Sequence, residues 1–214
     1  IFAGFVVIFF RMVLGKAEEF RTMIIEIIKQ KPNLIGLWFL FLIAAAFLVA
    51  YLLKKEPLIS GSGIPQVQGA LQGKLGMNWL RIILNKVLGG IISIGAGLSL
   101  GREGPSIQLG AAAGKGVSRI LRSLKIEEKY LITSGASAGL AAAFNAPLAG
   151  VMFSLEEVHR YFSPLILLSA MSASLTADFI SKQFFGLNPV FNFNEISPMP
   201  LSCYVYIIIL GIIT

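Results

Sequence analysis

Long apolar runs separated by short polar or Gly/Pro-containing breaks make up most of the chain. Residues 1–28 are expected to form one long apolar helix that becomes amphipathic from Gly15 onward, and Pro32 separates it from the next run. Residues 34–53 and 79–98 are apolar runs of roughly twenty residues each, the length at which a helix crosses the hydrocarbon core of a bilayer. We expect each of these two runs to be one membrane span.

The remaining elements are shorter or interrupted. Two helices are predicted at 130–144 and 146–160, and each covers about 22 Å, which is less than a hydrocarbon core of about 30 Å. A further span is expected at 164–185. The other predictions are a short polar helix at 66–72, a helix at 105–118, a polar loop at 186–200 and the beginning of an apolar helix in 201–214, where the chain stops.

Composition turns this pattern into a class of protein. The chain has 214 residues, of which 56% are hydrophobic and 14% are charged. Soluble domains carry about 25% charged residues, and the mean hydropathy here is +0.79. We therefore expect an all-α, polytopic membrane protein. The net charge of +7 is then better explained by cytoplasmic loops than by nucleic-acid binding.

Basic residues predict the orientation of the chain. Connections rich in Lys and Arg face the cytoplasm. The connection 115–129 is strongly basic, whereas the loop 186–200 has no Lys or Arg. The first is therefore expected inside and the second outside, although Lys29 and Lys31 would then lie outside and disagree with the rule.

Three Gly/Pro breaks interrupt the apolar pattern, at 61–65, 101–105 and 144–147. Non-helical backbone is tolerated at membrane depth only where protein buries it or it lines a cavity. The first two breaks place glycines and a proline at a helix start, where free N–H groups and the helix dipole attract anions. The predicted anion-binding residues are Gly61, Ser62, Gly63, Ile64, Pro65, Arg102, Glu103 and Gly104. The alternative is that Ser62 only caps a loop helix.

Glu103 is an acid in the middle of an apolar region, and such residues are functional candidates by default. A carboxylate beside an anion site can itself occupy the site, and a bound anion raises its pKa. This chemistry predicts a gate that couples the anion to protons. The structural alternatives are compensation of the helix dipole or an ion pair with Arg102, although adjacent helical residues project in different directions.

Glu156 and Glu157 lie at the expected end of a helix, where the dipole disfavours acids. His159 and Arg160 are close by in the sequence, so the two acids can equally be ordinary charges at the rim of the membrane. The residues alone leave both interpretations open.

Other chemistries find no support. The glycines around Lys115 lack the spacing of a phosphate loop, Gly95 and Gly97 lack a third glycine of a dinucleotide fingerprint, and no cluster has metal-ligand spacing. The pairs Gly110/Gly114 and Gly135/Gly139 are most simply helix-packing faces. We expect neither an enzyme nor a metal or organic cofactor.

Two pentapeptides carry a family resemblance. Gly61-Ser62-Gly63-Ile64-Pro65 and Gly101-Arg102-Glu103-Gly104-Pro105 resemble the first two signature motifs of the CLC chloride channels and transporters. The segment 145–150, which leads to Glu156-Glu157, is also similar to that family. The resemblance implies that 1–200 is the first of two inverted transmembrane repeats with broken, tilted helices, and that 201–214 begins the second.

The resemblance also implies functions for individual residues. Ser62 would be a chloride ligand, Glu103 the extracellular gate, and Glu157 the inner proton glutamate that marks exchangers. The expected protein is a multi-pass antiporter of the cell membrane that exchanges chloride and protons. Its partners would be the lipid bilayer, the second half of the same polypeptide and a second subunit in a homodimer. The alternatives are a passive voltage- or pH-gated chloride channel, a fluoride-selective exchanger and a structural membrane scaffold.

Overall fold

The computed structural model describes residues 1–160, 162–187, 200 and 204–213, and this part of the chain is helical without any strand. The predicted all-α fold is therefore confirmed. The helices are α1 (Phe2–Gln30), α2 (Ile35–Lys55), α3 (Ile64–Leu71), α4 (Trp79–Gly95), α5 (Glu103–Leu121), α6 (Lys125–Phe144), α7 (Pro147–Phe153), α8 (Pro164–Phe185) and α9 (Tyr204–Ile213). A π-helical turn, Ser154–His159, continues α7.

The centre of the fold is the pair α5 and α6, whose buried faces consist largely of Gly, Ala and Ser. Their backbones touch at glycines. A Cβ atom added at Gly110 would lie 2.9 Å from the Cα of Gly139, and one added at Gly135 would lie 3.1 Å from the Cα of Gly114. Small residues allow this close approach between membrane helices. The prediction that these glycine pairs form packing faces is confirmed.

The other helices surround this pair. The first half of α1 is buried through Val7, Phe10 and Leu14, which belong to one core cluster with Leu109 of α5 and Ala142 of α6. By contrast, α2 buries few residues and exposes most of its apolar side chains. In the described residues, the segments Pro32–Lys55 and Pro164–Phe185 are long and apolar enough to cross a membrane.

The two predicted half-length helices at 130–144 and 146–160 are wrong in their lengths. Helix α6 begins at Lys125 and has 20 residues, because the Glu127 carboxylate accepts a hydrogen bond of 2.9 Å from the N–H of Leu124 and caps the helix start. Helix α7 has only 7 residues before the π-helical turn. The chain therefore combines one helix of about 30 Å with one short helix.

The predicted span at 79–98 is also too long. Helix α4 ends at Gly95 after 17 residues, which is about 25 Å. Gly97 follows with φ of +103°, a conformation that interrupts a right-handed helix and that glycine adopts without a Cβ clash. Helix α3 begins two residues before its predicted start, and α5 continues beyond its predicted end to Leu121.

Four predictions concern residues at or beyond the limits of the described part. Most of the expected loop 186–200 lies outside the described residues. The proposed second repeat at 201–214 is described only as helix α9. The boundary between the two repeats, and the orientation that depends on the loop, stay predictions.

Candidate functional site

The two helix starts that carry the candidate anion motifs are in direct contact. Gly104, in the first turn of α5, packs on Ser62: an added Cβ atom at Gly104 would lie 2.7 Å from the Cα and 2.8 Å from the Cβ of Ser62. Any side chain at position 104 would therefore push the Ser62 loop away. The helix starts at 63–65 and 103–105 therefore converge, as a shared anion site requires.

All three predicted breaks border one cavity of about 1010 Å³. Gly61, Ser62 and Ile64 line it from the first break, and Glu103 and Gly104 line it from the second. The third break contributes to the lining through Phe144, Ala146 and Ala149. Non-helical backbone at this position therefore lines a cavity, as membrane proteins require of it.

Three predicted anion-binding residues, Gly63, Pro65 and Arg102, are not part of the cavity lining. Gly63 packs on Gln108 of α5, whose Cδ would lie 2.6 Å from an added Cβ. The guanidinium carbon of Arg102 lies 6.0 Å from the centre of the Phe144 ring. Of the three, Arg102 lies next to a residue of the cavity lining, Phe144.

Side chains hold four successive carbonyl oxygens of the loop before α3. Gln108 Nε2 donates to Leu58 O at 2.7 Å, and Gln66 Nε2 donates to Ser60 O at 3.0 Å. Lys86 Nζ donates to both Ile59 O and Gly61 O at 2.8 Å. An unpaired carbonyl oxygen repels an anion, and each of these four is bonded to a donor. None of these four carbonyl oxygens is therefore left unpaired to repel an anion.

Lys86 is a functional candidate that the sequence analysis missed. Lys86 is only 5% exposed and lines the cavity. In the described residues it forms no salt bridge. A buried cation next to a cavity favours anions in it. The signal was present in the sequence, since a lysine inside the apolar run of 79–98 is expensive in a membrane and marks a functional position.

The Ser62 hydroxyl is not the cap of α3 in the usual sense. The N-cap residue is Gly63, and the Ser62 Oγ accepts only a long bond of 3.4 Å from the N–H of Ile64. This contact uses the hydroxyl as an acceptor, so its proton can still be donated to a ligand. The capping alternative therefore accounts for little of the loop geometry.

Glu103 is the first residue of α5 and is exposed at the cavity. In the described part of the chain, its carboxylate forms no salt bridge, either with the adjacent Arg102 or with another cation. The ion-pair alternative is thus not realised here, whereas the helix dipole still favours an acid at this position.

Glu157 lies apart from the cavity lining, in the π-helical turn. Its Oε1 accepts a hydrogen bond of 3.0 Å from Arg160 and one of 3.2 Å from Gln68 Nε2. The pairing with Arg160 is the structural explanation that the sequence left open. The contact with Gln68, a residue on α3, was not predicted because it joins positions 89 residues apart. Such π-helical turns often occur at functional sites.

The third break is held by a second, half-buried cation that was not predicted. Arg11 of α1 donates at 3.1 Å to both Ala142 O and Asn145 Oδ1, and its guanidinium carbon lies 3.9 Å from the centre of the Phe185 ring. Asn145 ends α6 with φ of +54°. Arg11 therefore fixes the turn that starts α7 and positions Phe144 at the cavity.

In this fold, helices begin with free N–H groups at a common cavity, beside apolar helices long enough to cross a bilayer. This arrangement defines a class of membrane protein that handles small anions. The comparisons with known proteins agree with this class. The chain belongs to the family described as voltage gated chloride channel, which matches residues 42–214.

Similar proteins are described as H⁺/Cl⁻ exchange transporters ClcA. The one from Vibrio vulnificus is 34% identical over 99% of this chain and 46% of its own length, and the one from Salmonella paratyphi B is 38% identical over 83% of this chain and 39% of its own length. The chain thus spans less than half the length of these relatives.

Two solved structures have the same fold. A slow cyanobacterial Cl⁻/H⁺ antiporter matches with a TM-score of 0.81 and 34% identity, over 99% of this chain and 51% of that chain. A CLC-type fluoride/proton antiporter matches with a TM-score of 0.72 and 28% identity over the same shares. The chain has the fold of half of a CLC-type antiporter.

Proposed function

We propose that this chain forms half of a proton-coupled chloride antiporter. The carrying observation is the contact between Gly104 and Ser62, since it brings two helix N-termini and the Glu103 carboxylate to one cavity. The relatives described as H⁺/Cl⁻ exchange transporters support the same conclusion.

The proposed binding chemistry uses the backbone and one cation. Chloride is held by the Ser62 hydroxyl and by the free N–H groups of the helix starts, where the dipoles of α3 and α5 add positive potential. Lys86 supports the site by holding the loop carbonyls and by its charge. Glycines allow the backbone to approach the ion closely.

The proposed proton coupling uses two carboxylates. Ionised Glu103 competes with chloride for the helix start, and protonated Glu103 withdraws from it, so that Glu103 acts as the gate. Glu157 lies in another part of the fold, with no helix N-terminus to hold an anion. We assign to it the exchange of protons with the cytoplasmic side.

Two rival transport functions differ from this proposal. A passive chloride channel does not need a second acid, and Glu157 with its two hydrogen-bond donors argues against it. The structural similarity to a fluoride/proton antiporter favours a fluoride-selective exchanger. Ser62, however, fits the chloride-type ligand better. From another class, a structural scaffold would leave the buried Lys86 at the cavity without a purpose.

The proposed partners follow from the fold. The exposed apolar side chains of α2 would face the lipid of the cell membrane. A second half of the same polypeptide would complete the cavity, and two such subunits would form a homodimer in which each has its own pathway.

Single substitutions of the two acids test the proposal in the full-length protein reconstituted into vesicles. Glu103→Gln imitates the protonated gate, so chloride efflux should persist while its pH dependence and its coupling to protons are lost. Glu157→Gln removes the proton carrier, so proton movement should stop while chloride still passes. Chloride efflux and vesicle pH are recorded together.

Glu156→Gln is the matched control, because Glu156 is an adjacent, exposed acid on the same turn. It should pump protons like the wild type. Wild-type proton pumping by Glu157→Gln would reduce Glu157 to a rim charge and would favour the passive channel.

A further inference from the structure

Gln68 connects the helix of the candidate anion site to Glu157. Its Nε2 donates to the backbone oxygen of Glu157 at 2.6 Å and to the Glu157 Oε1 at 3.2 Å. A backbone oxygen can only accept, so the amide nitrogen of Gln68 must be the atom that faces the turn. The same helix, α3, begins at the Ser62 loop.

The Glu157 carboxylate is surrounded by donors of two kinds. Arg160 approaches the same Oε1 at 3.0 Å but is 60% exposed, so solvent weakens its contribution. Gln68 is neutral and partly buried, and its amide cannot change its own charge near neutral pH. Both bonds favour the ionised carboxylate, and the bond from Gln68 is the one that also joins two elements of the fold.

The other charges near the turn are accounted for. On the turn itself are Glu156, which is exposed, and His159, whose Nδ1 bonds Thr133 Oγ1 at 3.0 Å. Burial and the positive charge of Lys129 on α6 lower the pKa of His159. Also on α6, Glu128 forms a salt bridge with Lys115, and Glu127 and Lys125 lie at the start of the helix. On α8, Asp178 and Lys182 pair with each other at 2.6 Å. Helices α3 and α7 contain no charged residue.

We propose that Gln68 is a positioning residue that holds ionised Glu157 and fastens the turn of Glu157 to the helix that carries the Ser62 loop. This inference rests on the proposed role of Glu157 as the inner proton carrier. When Glu157 takes up a proton, its bond from Gln68 weakens and α3 loses one of its two bonds to the turn. The proton state of Glu157 is thereby communicated to the anion site through one helix.

The test titrates Glu157 in the full-length protein. The infrared carboxyl C=O band that disappears in Glu157→Gln identifies the protonated side chain, and its intensity is followed against pH. Gln68→Met removes the donor but keeps the side-chain length, so the midpoint of the band should move up by about half to one pH unit. Gln68→Glu adds a second carboxylate, so the midpoint should move up further. The pH profile of proton transport in vesicles should follow in the same direction.

Gln72→Met is the matched control, because Gln72 is an exposed glutamine at the end of the same helix. Its midpoint should equal that of the wild type. Midpoints for Gln68→Met and Gln68→Glu that coincide with the Gln72→Met value would overturn the inference while leaving antiport intact. A shifted band in a protein whose wild type moves no protons would support the role of Gln68 in holding Glu157 and would refute the antiport.

Discussion

Lys86 shows how a single side chain can organise the candidate site. Its ammonium group donates to two loop carbonyls at 2.8 Å and brings a buried positive charge to the cavity. The sequence predicted Ser62 and Glu103 because their motifs are local. It did not reveal the partners of Lys86, which lie about 25 residues away in the chain and meet it only in the folded protein.

We therefore expect Lys86→Met to weaken chloride binding on the order of tenfold, the effect of one charge within about 10 Å at an effective dielectric constant of about 20. Two loop carbonyls also lose their donor. Lys86→Arg keeps the charge and is the control. Isothermal titration of the purified full-length protein with chloride measures the change, and equal affinities for Lys86→Met and wild type would remove Lys86 from the electrostatics of the site.

We expect Ser62 to determine which anion is preferred rather than whether an anion binds. Ser62→Pro removes a hydroxyl donor and leaves the backbone N–H groups of the helix starts. We expect the preference to shift from chloride toward more weakly hydrated or planar anions such as nitrate. The chloride/nitrate flux ratio in reconstituted vesicles measures this shift, and an unchanged ratio would show that Ser62 is not a ligand.

At the scale of helices, the sequence predicted the existence of most elements but not all of their ends. The break after α4 comes earlier than expected because Gly97 takes up a left-handed conformation, and hydropathy does not report backbone angles. Helix α6 starts early because Glu127 caps it at Leu124, and a leucine is not a recognisable capping residue. The turn before α7 is held by the half-buried Arg11, whose partners Ala142 and Asn145 lie more than 130 residues away and could not be specified from the sequence.

The contact between α3 and α5 makes a prediction about Gly104. Gly104→Ala would place a Cβ atom 2.7 Å from the Cα of Ser62. This is closer than two non-bonded carbon atoms can approach, so the Ser62 loop must move. We expect a loss of chloride binding of about tenfold or more, since overpacking costs about 1–3 kcal/mol.

Gly101→Ala is the matched control in the same motif. A Cβ atom at Gly101 meets no other atom within 4 Å, so this variant should bind chloride like the wild type. Chloride titrations of both variants decide the matter, and wild-type affinity in Gly104→Ala would show that the two helix starts do not need their contact to form the site.

At the scale of the whole molecule, the fold brings together breaks that the sequence places far apart. The breaks at 61–65, 101–105 and 144–147 are far apart in the chain but border one cavity. The sequence predicts that each break is buried or lines a cavity, because non-helical backbone at membrane depth is tolerated only in those two ways. That the three breaks share one cavity, and that Glu157 lies outside its lining, could not be predicted, since both depend on contacts between segments far apart in the chain.

The proposed coupling of chloride to protons belongs to this same scale, and one experiment separates the candidate functions. Vesicles containing the full-length protein have equal chloride concentrations on both sides, a membrane potential clamped at zero, and an interior that is two pH units more acidic. That gradient is worth about 2.7 kcal/mol per proton.

In an antiporter, protons that leave must be exchanged for chloride that enters, so labelled chloride should accumulate above its external concentration. A passive channel has no driving force under these conditions and should only equilibrate the label, and a scaffold should take up none. Fluoride in place of chloride provides the comparison of selectivity, and a protonophore, which collapses the gradient, should abolish the accumulation. Equilibration of the label without accumulation would overturn the antiport and leave the channel.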